Sequence, residues 1–428
     1  MAKATAKKTA TGKAANAKAE ERPLSVTIRR IVRTTPMLPA TKPASVGLSS
    51  SRLQILTDEF QRQIDSRALP GAVMLIARNG KVGYLKALGK QAPESDQAMS
   101  TDSIFRIMSM TKPIVSIGLM QLVEAGKLLI SDPLSKYIPE FAKMNVGIER
   151  DGKLELVPAA REITIQDLLR HTSGLTGNNI GTSMVQRLYQ EADLRNRNLT
   201  NEQHAQKLAS LPLAYQPGTH WNYGRSTDVL GRVIEVVSGQ SLGRYLAANI
   251  LAPLQMWDTG FFAASRNAAR LAEPLATDPW TGDRIALFDM LEQPAMEAGG
   301  GGLVSTAVDY ARFCQMLLNG GTLNGERIIG PKTLAFMASD HLGPDVRKVG
   351  DFLPPGISFG LGFAVRTTTG MAPVPGSPGQ FYWSGIAGTA FWIDPVERMF
   401  AIFLSQAPGQ RMRYLPMFRN MVHAAIDK

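Results

Sequence analysis

Two apolar runs, Ala72–Ala77 and Val82–Ala87, flank an Asn79-Gly80 pair, and no other local feature constrains the fold as tightly. Both central positions of a two-residue hairpin turn need positive φ, which Asn and Gly tolerate, so the segment predicts a β-hairpin. The far end of the chain mirrors it. Thr389–Asp394 and Met399–Ser405 read as strands around a Pro395–Arg398 turn, followed by an amphipathic helix over Met412–Ile426. A helical pattern precedes the hairpin near Ser50–Arg67. Between the ends, helices are expected at Pro113–Ala125, Thr164–Leu169, Thr200–Leu211, Ser226–Val237, Leu242–Ile250 and Ser305–Leu318. Strands at both ends with helices between predict one sheet closed by the two termini around a helical insertion.

The composition bounds the partners. Hydrophobic residues make up 44% of the 428 and charged ones 19%, an ordinary globular balance that excludes long disorder for most of the chain. The longest apolar stretch, Ile114–Val123, is too short to span a bilayer, so no membrane association is expected. A single cysteine, Cys314, excludes an intrachain disulfide and a cysteine-built metal site; it is expected to pack as a small apolar residue. His171, His204, His220, His341 and His423 are scattered, with no pair at a helical metal-ligand spacing. No metal and no cofactor are expected.

The net charge of +11 belongs mostly to a tail: residues 1–43 hold ten Lys or Arg against only Glu20 and Glu21. Residues 1–22 are a low-complexity mixture of Ala, Lys, Thr and Glu that cannot bury enough apolar surface to order itself. It lacks the apolar core of a secretory signal, which predicts a cytoplasmic protein. The tail reads as a solvated extension, with non-specific nucleic-acid contact as the competing role. Residues 35–48, with Pro36, Pro39 and Pro43, read as an extended connector into the body.

The most informative chemistry lies at Ser109-Met110-Thr111-Lys112, followed by Pro113 and the apolar run. With Ser109 at the first turn of a helix, Lys112 falls on the same face, close enough to hydrogen-bond it. A serine hydroxyl needs a neighbouring base to become a nucleophile, and lysine can serve in a dry site. The helix start adds backbone N–H groups aimed at a developing oxyanion. The bare motif also fits a plain N-cap beside a solvated lysine. Two further segments bear on the choice. Pro217-Gly218-Thr219-His220-Trp221-Asn222-Tyr223 is a turn that presents Tyr223 just before a helix, where its phenol can relay a proton. Phe381-Tyr382-Trp383-Ser384-Gly385-Ile386-Ala387-Gly388-Thr389 is a glycine-spaced strand where backbone can approach a ligand.

In this order and spacing the three segments resemble the serine-reactive β-lactamase and penicillin-binding-protein superfamily. The nearer likeness is to its carboxylesterase branch, the family VIII esterases related to class C β-lactamases. Gly71-Ala72-Val73, Leu168 to Leu175, Ala298 to Leu303 and Trp392-Ile393-Asp394-Pro395 extend the likeness over roughly residues 46–428. The resemblance implies an α+β, transpeptidase-like fold: a five-stranded antiparallel sheet flanked by helices, plus a helical domain. The domain division expected from it is a tail and linker over 1–45, a discontinuous α/β domain over 46–125 and 285–428, and a mainly helical domain over 126–284. It implies that Ser109 is acylated, that Lys112 activates it, that Tyr223 is the general-base partner, and that the N–H groups of Ser109 and Ile386 form the oxyanion hole.

Two departures from the superfamily refine the substrate. Tyr223-Gly224-Arg225 stands where Tyr-x-Asn is common, and Trp383-Ser384-Gly385 stands where penicillin-binding members carry a basic residue, then Thr or Ser, then Gly. An indole cannot pair with a β-lactam carboxylate but can wall an apolar pocket. Trp383, Ser384 and Gly385 are therefore expected to line a site for neutral esters, with Arg225 as a candidate anion contact. The expectation is a serine carboxylesterase for short- to medium-chain acyl esters. A β-lactamase or DD-peptidase-like hydrolase, or an acyltransferase, would use the same machinery; a catalytically inert acyl-binding scaffold would not need it. His171 and His220 read as structural or rim residues, because lysine–tyrosine chemistry requires no imidazole.

Overall fold

Asn79 and Gly80 take φ of 54° and 76°, and the chain reverses there between strands β1 (Gly71–Arg78) and β2 (Lys81–Gly89). The expected hairpin forms, with a register irregularity at Ile76/Ala77. The computed structural model describes residues 34–177 and 181–427. The low-complexity basic stretch lies outside them. The connector is tied down rather than loose: Thr35 Oγ1 donates to Asp309, Ala40 bridges Val82, and Pro43–Val46 form a 3-10 turn.

The sheet has seven strands, not the five expected. Strands β3 (Ile357–Phe359), β4 (Ala364–Arg366), β5 (Phe381–Gly385), β6 (Thr389–Asp394) and β7 (Met399–Leu404) join the first hairpin. Their order is β3-β4-β5-β6-β7-β1-β2 and every neighbouring pair is antiparallel. The two additional strands, β3 and β4, hold three residues each. Such pieces are too short to show a period of two, so sequence pattern could not reveal them. The two ends of the chain meet in the middle of the sheet, where β7 pairs β1 with Leu404 opposite Val73.

Both faces of the sheet are covered, which is why all eight residues of β1 are buried. Side chains alternate across a strand. Ala72, Met74 and Ile76 face Leu53, Leu56 and Phe60 of helix α1 (Ser50–Asp65), together with Tyr414, Phe418 and Val422 of the C-terminal helix. Val73, Leu75 and Ala77 face the opposite layer. There they meet the larger core that holds Ile114 and Ile117 of helix α2 (Thr111–Glu124) and Tyr310 and Phe313 of a later helix. Each large apolar side chain so buried contributes about 1.5–3 kcal/mol before its ordering entropy is counted.

Helix α3 (Ser226–Ser238) matches its expected span, and helix α4 (Ala307–Leu318) starts two residues late. The reason is the cap: Thr306 Oγ1 accepts the Asp309 N–H at 3.1 Å, while Ser305 belongs to a short strand. Helix α5 (Arg411–Ala424) closes the chain. The helical expectation over 242–250 resolves into an α-turn, Leu242–Leu246, and a wider π-turn, Ala247–Leu251. A hairpin pairing Asn145–Arg150 with Lys153–Pro158 adds strands to the helical middle of the chain.

Candidate active site

Ser109 sits in a 3-10 turn, Met108–Met110, that runs straight into α2. The turn is pinned from several sides. Phe105–Arg106 pairs antiparallel with Val304–Ser305. The Ile107 N–H donates to the Leu303 carbonyl at 3.1 Å, and the Leu303 N–H donates to Thr111 Oγ1 at 3.1 Å. From α4, the Tyr310 hydroxyl donates to the Met110 carbonyl at 3.0 Å. Met108 is held at φ 47°, a left-handed conformation that costs about 1–3 kcal/mol in a non-glycine residue and persists only where the surroundings over-determine it. The serine is thereby presented at a fixed angle.

Lys112 lies one turn further on and is 4% exposed. Its Nζ donates to Ser109 Oγ at 3.1 Å and to the Gly300 carbonyl. The Tyr223 hydroxyl donates to Ser109 Oγ at 2.7 Å, and Lys112 Nζ stands 4.6 Å from the centre of the Tyr223 ring. The three residues that the sequence nominated for chemistry are thus in mutual contact.

Tyr223 occupies the junction between the short strand His220–Trp221 and α3. The Asn222 N–H donates to the His171 carbonyl at 2.9 Å, which fixes the approach. Gly224 follows because nothing larger fits: a Cβ there would lie 2.5 Å from the Thr176 carbonyl carbon. The His171 ring packs 4.9 Å from the Tyr223 ring and 5.5 Å from Phe359. Burial, reinforced by the charge of Lys112, pushes its pKa well below the ordinary imidazole value, so it stays neutral. His171 is a buried packing residue. His220 is half-buried and stacks on Tyr215 at 4.2 Å.

Trp383, on β5, is buried with its ring 5.2 Å from that of Tyr223. Its Nε1–H donates to the Tyr223 phenolic oxygen at 3.2 Å. Ser384 and Gly385 complete the strand beside it. A Cβ on Gly385 would fall 2.5 Å from the Ile107 carbonyl oxygen and 3.0 Å from Met108 Cβ, so the strand end lies directly on the serine turn. Thr389 Oγ1 donates to the same Ile107 carbonyl at 3.1 Å. Ile386 comes next, in a turn closed by the Gly388 N–H on the Gly385 carbonyl at 3.0 Å, with its side chain half-exposed. Arg225 is ion-paired to Asp228 at 3.5 Å.

Three further participants had no clear signal in the sequence. Gly300 supplies a carbonyl to Lys112, and its glycine-rich run carried likeness but no assigned role. Asp228 accepts the Gly300 N–H at 2.8 Å. Phe352 sets its ring 5.3 Å from Tyr223 while remaining 44% exposed.

A family model described as beta-lactamase matches residues 56–425 of this chain. The chain belongs to the beta-lactamase family. Among its family relatives is esterase EstB of Burkholderia gladioli, 30% identical over 391 residues that cover 86% of this chain and 94% of that protein. Among solved structures, EstCE1, described as a hydrolase with promiscuous acyltransferase activity, superposes with a TM-score of 0.71 at 27% identity. That match covers 87% of this chain and 98% of the other. Simvastatin synthase LovD from Aspergillus terreus reaches a TM-score of 0.72 at 23% identity, covering 87% and 98% of the two chains, and so shares the fold. This beta-lactamase-family chain is an enzyme of the serine-hydrolase type. Among the described residues no helix is long and apolar enough to cross a membrane, and no group of three or more His, Cys, Asp or Glu is placed to hold a metal ion.

Proposed function

We propose that the protein is a serine carboxylesterase acting on short- to medium-chain acyl esters through an acyl-enzyme on Ser109. The observation that carries this reading is the closed contact of Ser109 Oγ with Lys112 Nζ at 3.1 Å and with the Tyr223 hydroxyl at 2.7 Å. In the resting arrangement Tyr223 donates to Ser109. Once the phenolic proton has been given up to solvent, with Lys112 Nζ beside the ring to stabilise the phenolate, the same short contact runs in reverse and draws the serine proton away. Ser109 Oγ then attacks the ester carbonyl, the N–H groups of Ser109 and Ile386 hold the oxyanion, and the alcohol leaves with the transferred proton. Water attacks the acyl-serine by the same route, giving the acid and free Ser109.

Trp383, Ser384 and Gly385 would form the strand edge against which the acyl group lies. The Arg225 guanidinium is engaged by Asp228, which supports a bracing role over an anion contact. The reactive residues come from both parts of the expected division: Tyr223 from 126–284, and Ser109, Lys112 and Trp383 from the rest. A groove between a sheet domain and a helical domain accounts for that. Acyl transfer is the second reading, favoured by the described activity of EstCE1. It differs only in an alcohol replacing water.

Initial rates on p-nitrophenyl butyrate and nitrocefin, for wild type and Ser109→Ala, test the proposal. Butyrate turnover that disappears in the variant, with little nitrocefin hydrolysis, is the expected outcome. Strong nitrocefin hydrolysis would show that Trp383 does not exclude β-lactams, and an active Ser109→Ala protein would overturn the nucleophile. Adding a primary alcohol and measuring ester formed against acid released separates transfer from hydrolysis.

A further inference from the structure

Asp228 stands in the first turn of α3 with its side chain 4% exposed. A carboxylate so placed needs partners, since an unpaired buried charge is among the costliest features a fold can carry. It has two of different kinds. Arg225, the N-cap residue of the same helix, approaches at 3.5 Å, and the backbone N–H of Gly300 donates to Oδ1 at 2.8 Å. The carbonyl of Gly300 in turn accepts from Lys112 Nζ. One residue's N–H and C=O therefore bridge a buried carboxylate and the buried lysine that contacts the nucleophile. Only glycine permits this: a Cβ at position 300 would lie 2.8 Å from both Asp228 carboxylate oxygens.

We propose that Asp228 is a positioning residue for Lys112, acting through the peptide of Gly300. The proposal rests on the reading of Lys112 as the activator of Ser109. An ε-amino group has three directions to fill. Gly300 takes one, Ser109 Oγ takes another, and the Tyr223 ring faces the group at 4.6 Å. Without Asp228 the Gly300 peptide can rotate, and Nζ loses the anchor that aims it at Ser109. The carboxylate also sets the local field. It is faced by Arg225 from the N-cap of its own helix, His204 from the helix Asn201–Ala209, and Lys112 from α2. Lys112 is faced in addition by Tyr223 and His171. Burial opposes the Asp228 charge, but Arg225, His204, Lys112 and the Gly300 N–H together hold its pKa below the usual carboxylate value, so it remains ionised at neutral pH.

The test is the pH dependence of kcat and KM on p-nitrophenyl butyrate for wild type, Asp228→Asn and Asp228→Ala, with near-ultraviolet circular dichroism on each. Asn keeps an acceptor for the Gly300 N–H but removes the charge; Ala removes both. The expected result is a fall in kcat on the order of 10-fold for Asn and 100-fold for Ala, with KM little changed. In the Asn variant the pH profile should move to lower pH, because a buried negative charge beside the site has gone. Folded variants whose kcat and profile match wild type would overturn the proposal. So would a loss of kcat that only tracks the folded fraction, with an unmoved profile. If the Asn variant is not recovered folded, Gly300→Ala, whose new Cβ displaces the carboxylate, should reproduce the kcat loss and the altered profile; wild-type kinetics there would equally overturn it. Lys112→Met, run alongside, keeps the two readings apart. If it retains turnover, the activator assignment has failed whatever Asp228 does.

Discussion

The indole Nε1–H of Trp383 donates to the phenolic oxygen of Tyr223 at 3.2 Å. Sequence alone cast this tryptophan as a pocket wall in place of a basic residue. The contact gives it a second part in the proposed mechanism, where an N–H aimed at the Tyr223 oxygen is a fixed partner for the charge that appears when its proton leaves. Trp383→Phe keeps the ring and removes the donor. The expected outcome is a fall in kcat of roughly 5- to 10-fold, the worth of one hydrogen bond of about 1–1.5 kcal/mol, with KM for p-nitrophenyl butyrate little changed. A rise in KM at constant kcat would show that the indole serves binding alone.

Phe352 gives the second prediction. Its ring lies 5.3 Å from that of Tyr223 and is 44% exposed, so it borders the Tyr223 ring without supporting the core. Phe352→Ala should leave thermal stability nearly unchanged. Across p-nitrophenyl esters from acetate to decanoate, kcat/KM should fall for the short chains by about 3- to 10-fold, as an apolar contact is lost, and fall least for the bulkiest. A uniform loss along the series would place the residue away from the acyl chain.

Local chemistry made part of this molecule legible. Asn79-Gly80 fixes a hairpin through its own φ preferences, and Ser109 with Lys112 is a one-turn relation within a helix. Tyr223 lies 114 residues from Ser109 along the chain, and only resemblance to a known family joined them. The remaining parts have no side-chain signature. The Gly300 group that meets Lys112 is a backbone carbonyl, which any residue possesses. Asp228 reads in sequence as an ordinary acid in the first turn of a helix, and its burial depends on a loop more than 70 residues away. The strands β3 and β4 hold three residues each and are made by their neighbours, not by a pattern of their own. Asp151-Gly152, with φ of 50° and 71°, is a turn of the same kind as Asn79-Gly80. Val146 and Ile148 on one side, and Leu154 and Leu156 on the other, alternate with small or polar residues, so this hairpin carries the same local signal as the first.

Gly385 should be intolerant of the smallest change. Alanine there would put a Cβ 2.5 Å from the Ile107 carbonyl oxygen, on the residue that leads into the strained Met108. The strand end and the serine turn must then separate by several tenths of an ångström. Gly385→Ala is expected to lower kcat/KM by about 100-fold, since misplacement of a reacting group on the ångström scale costs that much. The loss of stability should be modest, about 1–3 kcal/mol, as for overpacking elsewhere. Chemical denaturation in parallel with kinetics checks both. Equal losses in activity and folded fraction would contradict the positional argument.

Stability should fall on mild acidification, and the buried histidines are the reason. Burial lowers the pKa of His204 to about 4 and that of His171 well below its ordinary value, the latter aided by Lys112. The unfolded chain takes up protons near pH 6.5, where the folded chain refuses them. Stability from these groups is complete above the unfolded value and is lost as pH falls through the window beneath it. Asp309 acts in the opposite sense: burial raises its pKa to about 6, so the folded state binds its proton first and the associated stability is lost as pH rises towards 6. Burial raises Glu235 as well, so two carboxyls oppose the histidines. Because His220, His341 and His423 are also lowered, chiefly by burial, the histidines prevail. The melting temperature at pH 5 is expected to lie several degrees below that at pH 7.5. His204→Gln should flatten the slope between pH 4.5 and 6.5 by up to about 1.4 kcal/mol per pH unit, the contribution of a single proton. A melting temperature that holds steady or rises from pH 7.5 to 5 would show that these imidazoles gain protons without unfolding the chain.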